Sequence, residues 1–250
     1  ITGEPGGSPA KMGMSVADIG AGLFSTVGVM MALEARHRTG RGQRVDTSLL
    51  EGQVSMLAHF LTRHFASGEI PGPSGSGSLG SPTYRAYRAS DNWIIVSAFN
   101  QRMWRGLCTA LERTEWIDDP RFADARGRSQ HRPLMIEMIQ EVMQHHPVAY
   151  WEQQLRDNEV PCSAINTVDK VVVQPQVQAR DMIEHIDLEG LGMMSMAGLP
   201  IKFSETPGAV RLPPARLGQH TAAILAQLGY HAARIEALAE HRKGDFLLFC

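Results

Sequence analysis

Cysteine is scarce in this sequence, and the few that occur are scattered. Cys108, Cys162 and Cys250 are odd in number and far apart in a chain of 250 residues. That excludes a disulfide framework and a cysteine-rich zinc site, and it points to a reducing compartment, read here as cytoplasmic. Blocks of like charge are also missing: 24 Lys and Arg against 26 Asp and Glu leave a formal net charge of −2. Nothing basic is concentrated enough to suggest nucleic acid or a membrane surface as partner. No uninterrupted apolar run reaches the length of a membrane span. The opening Ile1-Thr2-Gly3-Glu4-Pro5-Gly6-Gly7 lacks the charged-then-apolar order of a signal peptide. No internal repeat is visible. Ten histidines invite a metal reading, but His145 and His146 are adjacent and His59 and His64 are five apart. Neither spacing puts two ligands on one helix face, so no metal is expected.

An apolar content of 43% is enough to bury a sizeable core, in one large domain or two small ones. Residues 1–12 are rich in Gly and Pro and read as loop. From about Ile19 to Arg38, Leu23, Val27, Met30, Met31 and Glu34 follow helical spacing, and Thr39-Gly40-Arg41-Gly42 ends the run. Its first half is apolar nearly all round, which predicts burial. A short strand is expected over 43–48 and a second helix over 49–66. Residues 67–82 are dominated by Gly, Ser and Pro and mark a linker or mobile loop. Two strand-like runs, 84–89 and 93–98, flank the turn Ser90-Asp91-Asn92 and predict a hairpin. Helices are expected over 101–112, over 131–145 and after Pro147, then a buried strand over 160–165. Residues 84–170 thus read as a compact α+β unit. Further on, strands are expected over 182–188 and 199–204, and helices up to Leu228 and over 232–241.

The stretch that organises the chain is Ser15-Val16-Ala17-Asp18-Ile19-Gly20-Ala21-Gly22. Asp18 stands just before the first helical pattern among small residues, which let another backbone or a ligand come close. Two readings stay open for it. One is a helix N-cap, for which Asp is a preferred residue. The other is a catalytic carboxylate whose charge is favoured by the free N–H groups of a helix start.

Several stretches together resemble the class III coenzyme A transferases, the family of formyl-CoA transferase and carnitine CoA-transferase. They are 2–7, Ala17-Asp18 with Ala21-Gly22, Arg38-Thr39-Gly40-Arg41-Gly42-Gln43, Val45-Asp46 and Ser48-Leu49-Leu50-Glu51. Further along come Asp119-Pro120-Arg121-Phe122, Val160-Pro161-Cys162, and Leu217-Gly218-Gln219-His220-Thr221 before Leu228-Gly229. The resemblance implies an α/β fold: an incomplete Rossmann-like large domain and a small α+β domain, joined by long linkers in an interlocked dimer. Residues 1–66 then belong to the large domain and carry the catalytic Asp. Residues 67–83 are linker and Gly-rich loop, 84–170 the small domain, and 171–250 a return linker and a segment packing on the large domain.

By the same resemblance Asp18 is the nucleophile. It attacks the thioester of an acyl-CoA and forms an anhydride, then an aspartyl-CoA thioester, and an acceptor carboxylic acid completes the exchange. Coenzyme A is a substrate, and no permanent cofactor is implied. Gly75, Gly77 and Gly80 fall where the family carries a mobile loop over its site, although an ordinary linker has the same composition. Family members also have an N-terminal half that this sequence lacks, which implies a homodimer or a partner chain supplying that half. Two alternatives remain. One is an α-methylacyl-CoA racemase of the same superfamily, disfavoured by Ala21-Gly22 and by Phe99-Asn100-Gln101, where racemases tend to place a Glu. The other is a non-catalytic subunit.

Overall fold

Apolar residues at helical spacing build the first element, α1 (Val16–Thr39), and Gly40 ends it with φ +69°, its N–H bonded to the Arg36 carbonyl. The structure, a computed structural model, describes residues 1–78, 81–188 and 192–245. The chain divides into two units, with the break between Ile165 and Asn166.

In the first unit α1 is followed by α2 (Leu49–Met56) and α3 (Ala58–Ser67). Ser48 and Glu51 form a reciprocal cap at the start of α2: Ser48 Oγ accepts from the Glu51 N–H at 3.2 Å and donates to the Glu51 carboxylate at 2.8 Å. Three expectations fail here. Of the residues of α1 only Gly20 is buried, while Leu23, Val27, Met30 and Met31 are 56–67% exposed. An apolar helix face is buried only where another element covers it, and the helix packed on α1 is α2. Residues 43–48 form no strand: Ser48 is extended, but no ladder partner exists among the described residues. The helix expected over 49–66 is broken at Leu57, whose N–H is shared between the Gln53 and Val54 carbonyls. No Gly or Pro announces that break.

The expected hairpin forms as β1 (Tyr84–Arg88) and β2 (Trp93–Ser97), antiparallel, with Tyr84 opposite Ser97 and Arg88 opposite Trp93. Four helices follow: α4 (Gln101–Ala110), α5 (Ala125–Gln130), α6 (Arg132–Met143) and α7 (Val148–Asp157). A third strand, β3 (Cys162–Ala164), then pairs antiparallel with β2. Among the described residues the buried hydrophobic ones all lie between Ala86 and Val160. Trp104 and Leu107 of α4, Ile139 and Met143 of α6, and Trp151 and Leu155 of α7 close over Ile94 and Val96 of β2. Fully burying each such side chain contributes about 1.5–3 kcal/mol. Trp151 Nε1 donates to the Met143 carbonyl at 2.7 Å and so ties α7 to the end of α6.

The second unit holds α8 (Val168–Val172), α9 (Pro175–Ala179), β4 (Ile183–Leu188), β5 (Gly192–Ala197), α10 (Thr221–Gln227) and α11 (Ala232–Asp245). β4 and β5 pair antiparallel. The second strand of this hairpin thus lies over 192–197, not over 199–204 as expected. Pro200 has no N–H to offer a ladder, whereas Met193 to Met196 can pair throughout.

Candidate functional site

Asp18 is the third residue of α1, inside the first turn, one turn further along than the sequence suggests. It is exposed. The helix start is Ser15, which makes no side-chain cap bond, so Asp18 is not the N-cap. The Val16 N–H bonds the Met14 carbonyl and the Ile19 N–H bonds that of Ser15, while the N–H groups of Ala17 and Asp18 have no backbone acceptor among the described residues. A carboxylate therefore stands beside two free donors at the positive end of a helix dipole. Donors so placed can hold an oxyanion.

The small residues after Asp18 serve the crossing of α1 over α2. A Cβ on Gly20 would stand 2.8 Å from the Met56 methyl, and Gly52 packs on the ring of Phe24. Gln53 of α2 reaches the Val16 carbonyl at 3.5 Å. Two clefts open along α1. One, of about 400 Å³, lies along α1 between Val27, Met30, Met31 and Arg38. The other, of about 280 Å³, is lined by Phe24, Gly28, Val45, Asp46, Glu51 and Ser55. Asp18 lines neither of them.

Gly75 and Gly77 share one turn. Ser74 Oγ donates to the Gly77 carbonyl at 2.7 Å, and Gly75 needs its φ of +63°. Residues 76–78 run along β1: the Ala86 N–H bonds the Ser76 carbonyl, and the Ser78 N–H bonds that of Tyr84. Arg132 at the start of α6 donates to the Ser78 carbonyl at 2.7 Å. Gly80 lies outside the described residues. No hydrogen bond joins Asp18 to this loop among the described residues. Nothing in the sequence singled out Arg132 as a support of the loop; it acts through a contact distant in the chain.

Other motif residues carry structure. Asn100 caps α4, its Oδ1 accepting from the Met103 N–H at 2.9 Å. Asp119 accepts from the backbone N–H and the guanidinium of Arg121, which hold its carboxyl below the usual range. Phe122 beside them is fully buried. Burial pushes the Cys108 thiol up to about 12, and the half-buried Cys162 thiol is raised for the same first reason. Neither is a ready nucleophile. Among the described residues no group of His, Cys, Asp and Glu could hold a metal ion. One expectation about hydrophobic length needs correction: α1 is long and apolar enough to cross a membrane, because its few charges fall near its two ends.

Residues 1–221 match the family model described as CoA-transferase family III. The chain is 30% identical over 249 residues to an acyl-CoA transferase of Fusarium pseudograminearum, covering 99% of this chain and 54% of that protein. It is 31% identical over 232 residues to a succinate–glutarate CoA-transferase of Agrobacterium fabrum, covering 91% and 57%. The crystal structure of a CaiB/BaiF family protein from Brucella suis superposes with a TM-score of 0.75 at 32% identity, over 91% of this chain and 59% of that one. The chain spans about half the length of the curated relatives it matches.

Proposed function

The chain belongs to CoA-transferase family III, and from that premise we propose that it moves coenzyme A from an acyl-CoA to a carboxylic acid, with Asp18 as the nucleophile. The observation that carries the reading is the place of Asp18: exposed, in the first turn of α1, beside two free backbone N–H groups. The Asp18 carboxylate attacks the thioester carbonyl, the C–S bond breaks, and an acyl–aspartyl anhydride and a CoA thiolate result. The thiolate attacks the aspartyl carbonyl of the anhydride, releasing the first acid and leaving an aspartyl-CoA thioester. The acceptor carboxylate attacks that thioester and forms a second anhydride. The returning thiolate attacks its acyl carbonyl, yielding the new acyl-CoA and free Asp18. Each addition passes through an oxyanion, which backbone donors such as the free Ala17 and Asp18 N–H groups stabilise. The relative from Agrobacterium, named for succinate and glutarate, supports short dicarboxylic acids as the substrate class. Gly75 and Gly77 serve as part of the loop over the substrate.

A partner polypeptide belongs to this reading, as a second copy in an interlocked dimer or as a chain supplying the rest of a Rossmann-like domain around residues 1–66. Its support is the apolar face of α1, exposed among the described residues. The core confined to residues 86–160 supports a small domain over 84–170. The free thiols Cys108 and Cys162 fit a cytoplasmic setting.

The test is Asp18→Asn, with CoA transfer measured between succinyl-CoA and glutarate in the assembled protein. The exchange is expected to vanish with the fold intact, and to require the acceptor acid in the unmodified protein. Hydroxylamine added during turnover should leave a hydroxamate on Asp18. Full transfer by Asp18→Asn would overturn the assignment.

A further inference from the structure

The N-terminal Gly/Pro segment, legible in the sequence only as loop, is a closed turn. The Ala10 N–H bonds the Thr2 carbonyl and the Gly7 N–H bonds that of Glu4, both at 2.9 Å. The Gly-rich loop is docked onto it through Gly75, whose N–H donates to the Gly3 carbonyl at 2.9 Å. Both sides of this contact need glycine. Gly3 has φ +136°, and a Cβ there would stand 2.9 Å from the Ser8 carbonyl oxygen. Gly75 has φ +63°, and a Cβ there would meet the Glu4 carboxylate at 2.6 Å. The Glu4 side chain makes no hydrogen bond or ion pair among the described residues, so it acts on Gly75 by filling space. Pro73, Ser74, Gly75, Gly77 and Ser78 are half-buried rather than solvated. A free linker of this composition would be exposed along its length.

We propose that the turn over residues 2–10 is a clasp for the Gly-rich loop, and that Glu4 is its positioning residue, covering the Gly75–Gly3 hydrogen bond. The loop is then held from two sides: by the clasp, which leads directly into the helix of Asp18, and by β1 with Arg132. Any movement of residues 73–75 has to break the clasp, whereas residues 76–78 can stay on β1. The use of this movement over a substrate rests on the CoA-transfer reading; the clasp does not.

The experiment is amide hydrogen exchange of the full chain, followed by mass spectrometry, with the β2 and α6 peptides as internal reference. Gly75→Ala and Glu4→Ala are each expected to speed exchange over residues 73–75 about tenfold, as local opening becomes easier. Glu4→Gln keeps the shape and should exchange like the unmodified chain. Unchanged exchange in Gly75→Ala and Glu4→Ala overturns the clasp, and so does Glu4→Gln as fast as Glu4→Ala. Should Gly75→Ala disturb the reference peptides, the Glu4 pair alone decides. Acetyl-CoA added to the assembled protein then tests the substrate role separately. Slower exchange over 73–78 supports it; no change removes that role while the clasp results stand.

Discussion

Asp18 and Asp119 show how one residue type takes two roles by its surroundings. Asp18 is exposed at a helix start, at the positive end of the helix dipole. Asp119 is engaged by Arg121 through Nη2 at 2.6 Å and the backbone N–H at 2.8 Å, which lowers its pKa. A carboxyl lowered in the folded state stabilises the fold above its unfolded pKa of about 4, and loses that contribution as pH falls through the folded value. Asp119→Asn should therefore melt earlier than the unmodified chain at pH 7. The gap should narrow as pH drops below about 4, since both chains then carry a neutral group there. Thermal melts at a series of pH values check this. A gap that is constant with pH would show that the turn is held by something other than the charge.

At the scale of elements, α1 and α4 make an instructive pair. Both read as helices from apolar spacing, and both form. α4 is capped by Asn100 and buries Trp104, Leu107 and Cys108 in the core. α1 has the stronger apolar run, yet it leaves Leu23, Val27, Met30 and Met31 exposed. Covering each of those would stabilise a complex by roughly 1.5–3 kcal/mol, so a face of this kind drives association. The double substitution Leu23→Gln with Met30→Gln should shift the protein toward monomer in light-scattering measurements. The melting of the 84–165 core should stay unchanged, because neither side chain belongs to it. Equal mass before and after substitution would remove α1 from the partner interface.

For the molecule as a whole, stability is concentrated in one place. The buried hydrophobic residues run from Ala86 to Val160 and include Trp104, Trp151 and Phe122. Outside that range the exposed backbone at Arg41, Arg44, Lys170 and Arg180 offers cleavage points. Limited trypsin digestion of the chain should leave a resistant fragment that contains residues 84–165, seen as one band and confirmed by mass. Rapid loss of that fragment would show that the core depends on the elements around it.

What the sequence determined by itself is local. Helical spacing placed α1, α4, α6 and α7; Ser90-Asp91-Asn92 placed the β1–β2 hairpin; Gly40 and Gly229 placed helix ends. These follow from backbone sterics and side-chain period, which act within a few residues. The family was legible too, because its motifs are short and stand in order along the chain. Tertiary structure decided the rest. Among the described residues, 43–48 find no ladder partner and most of the apolar face of α1 stays exposed, because pairing and burial depend on a second surface that no local pattern contains. The break at Leu57, the choice of 192–197 as a strand, and the hold of Gly3 and Glu4 on Gly75 are of the same kind. Each joins groups whose meeting is set by the path of the whole chain, and a sequence read from end to end cannot show which distant residues will touch.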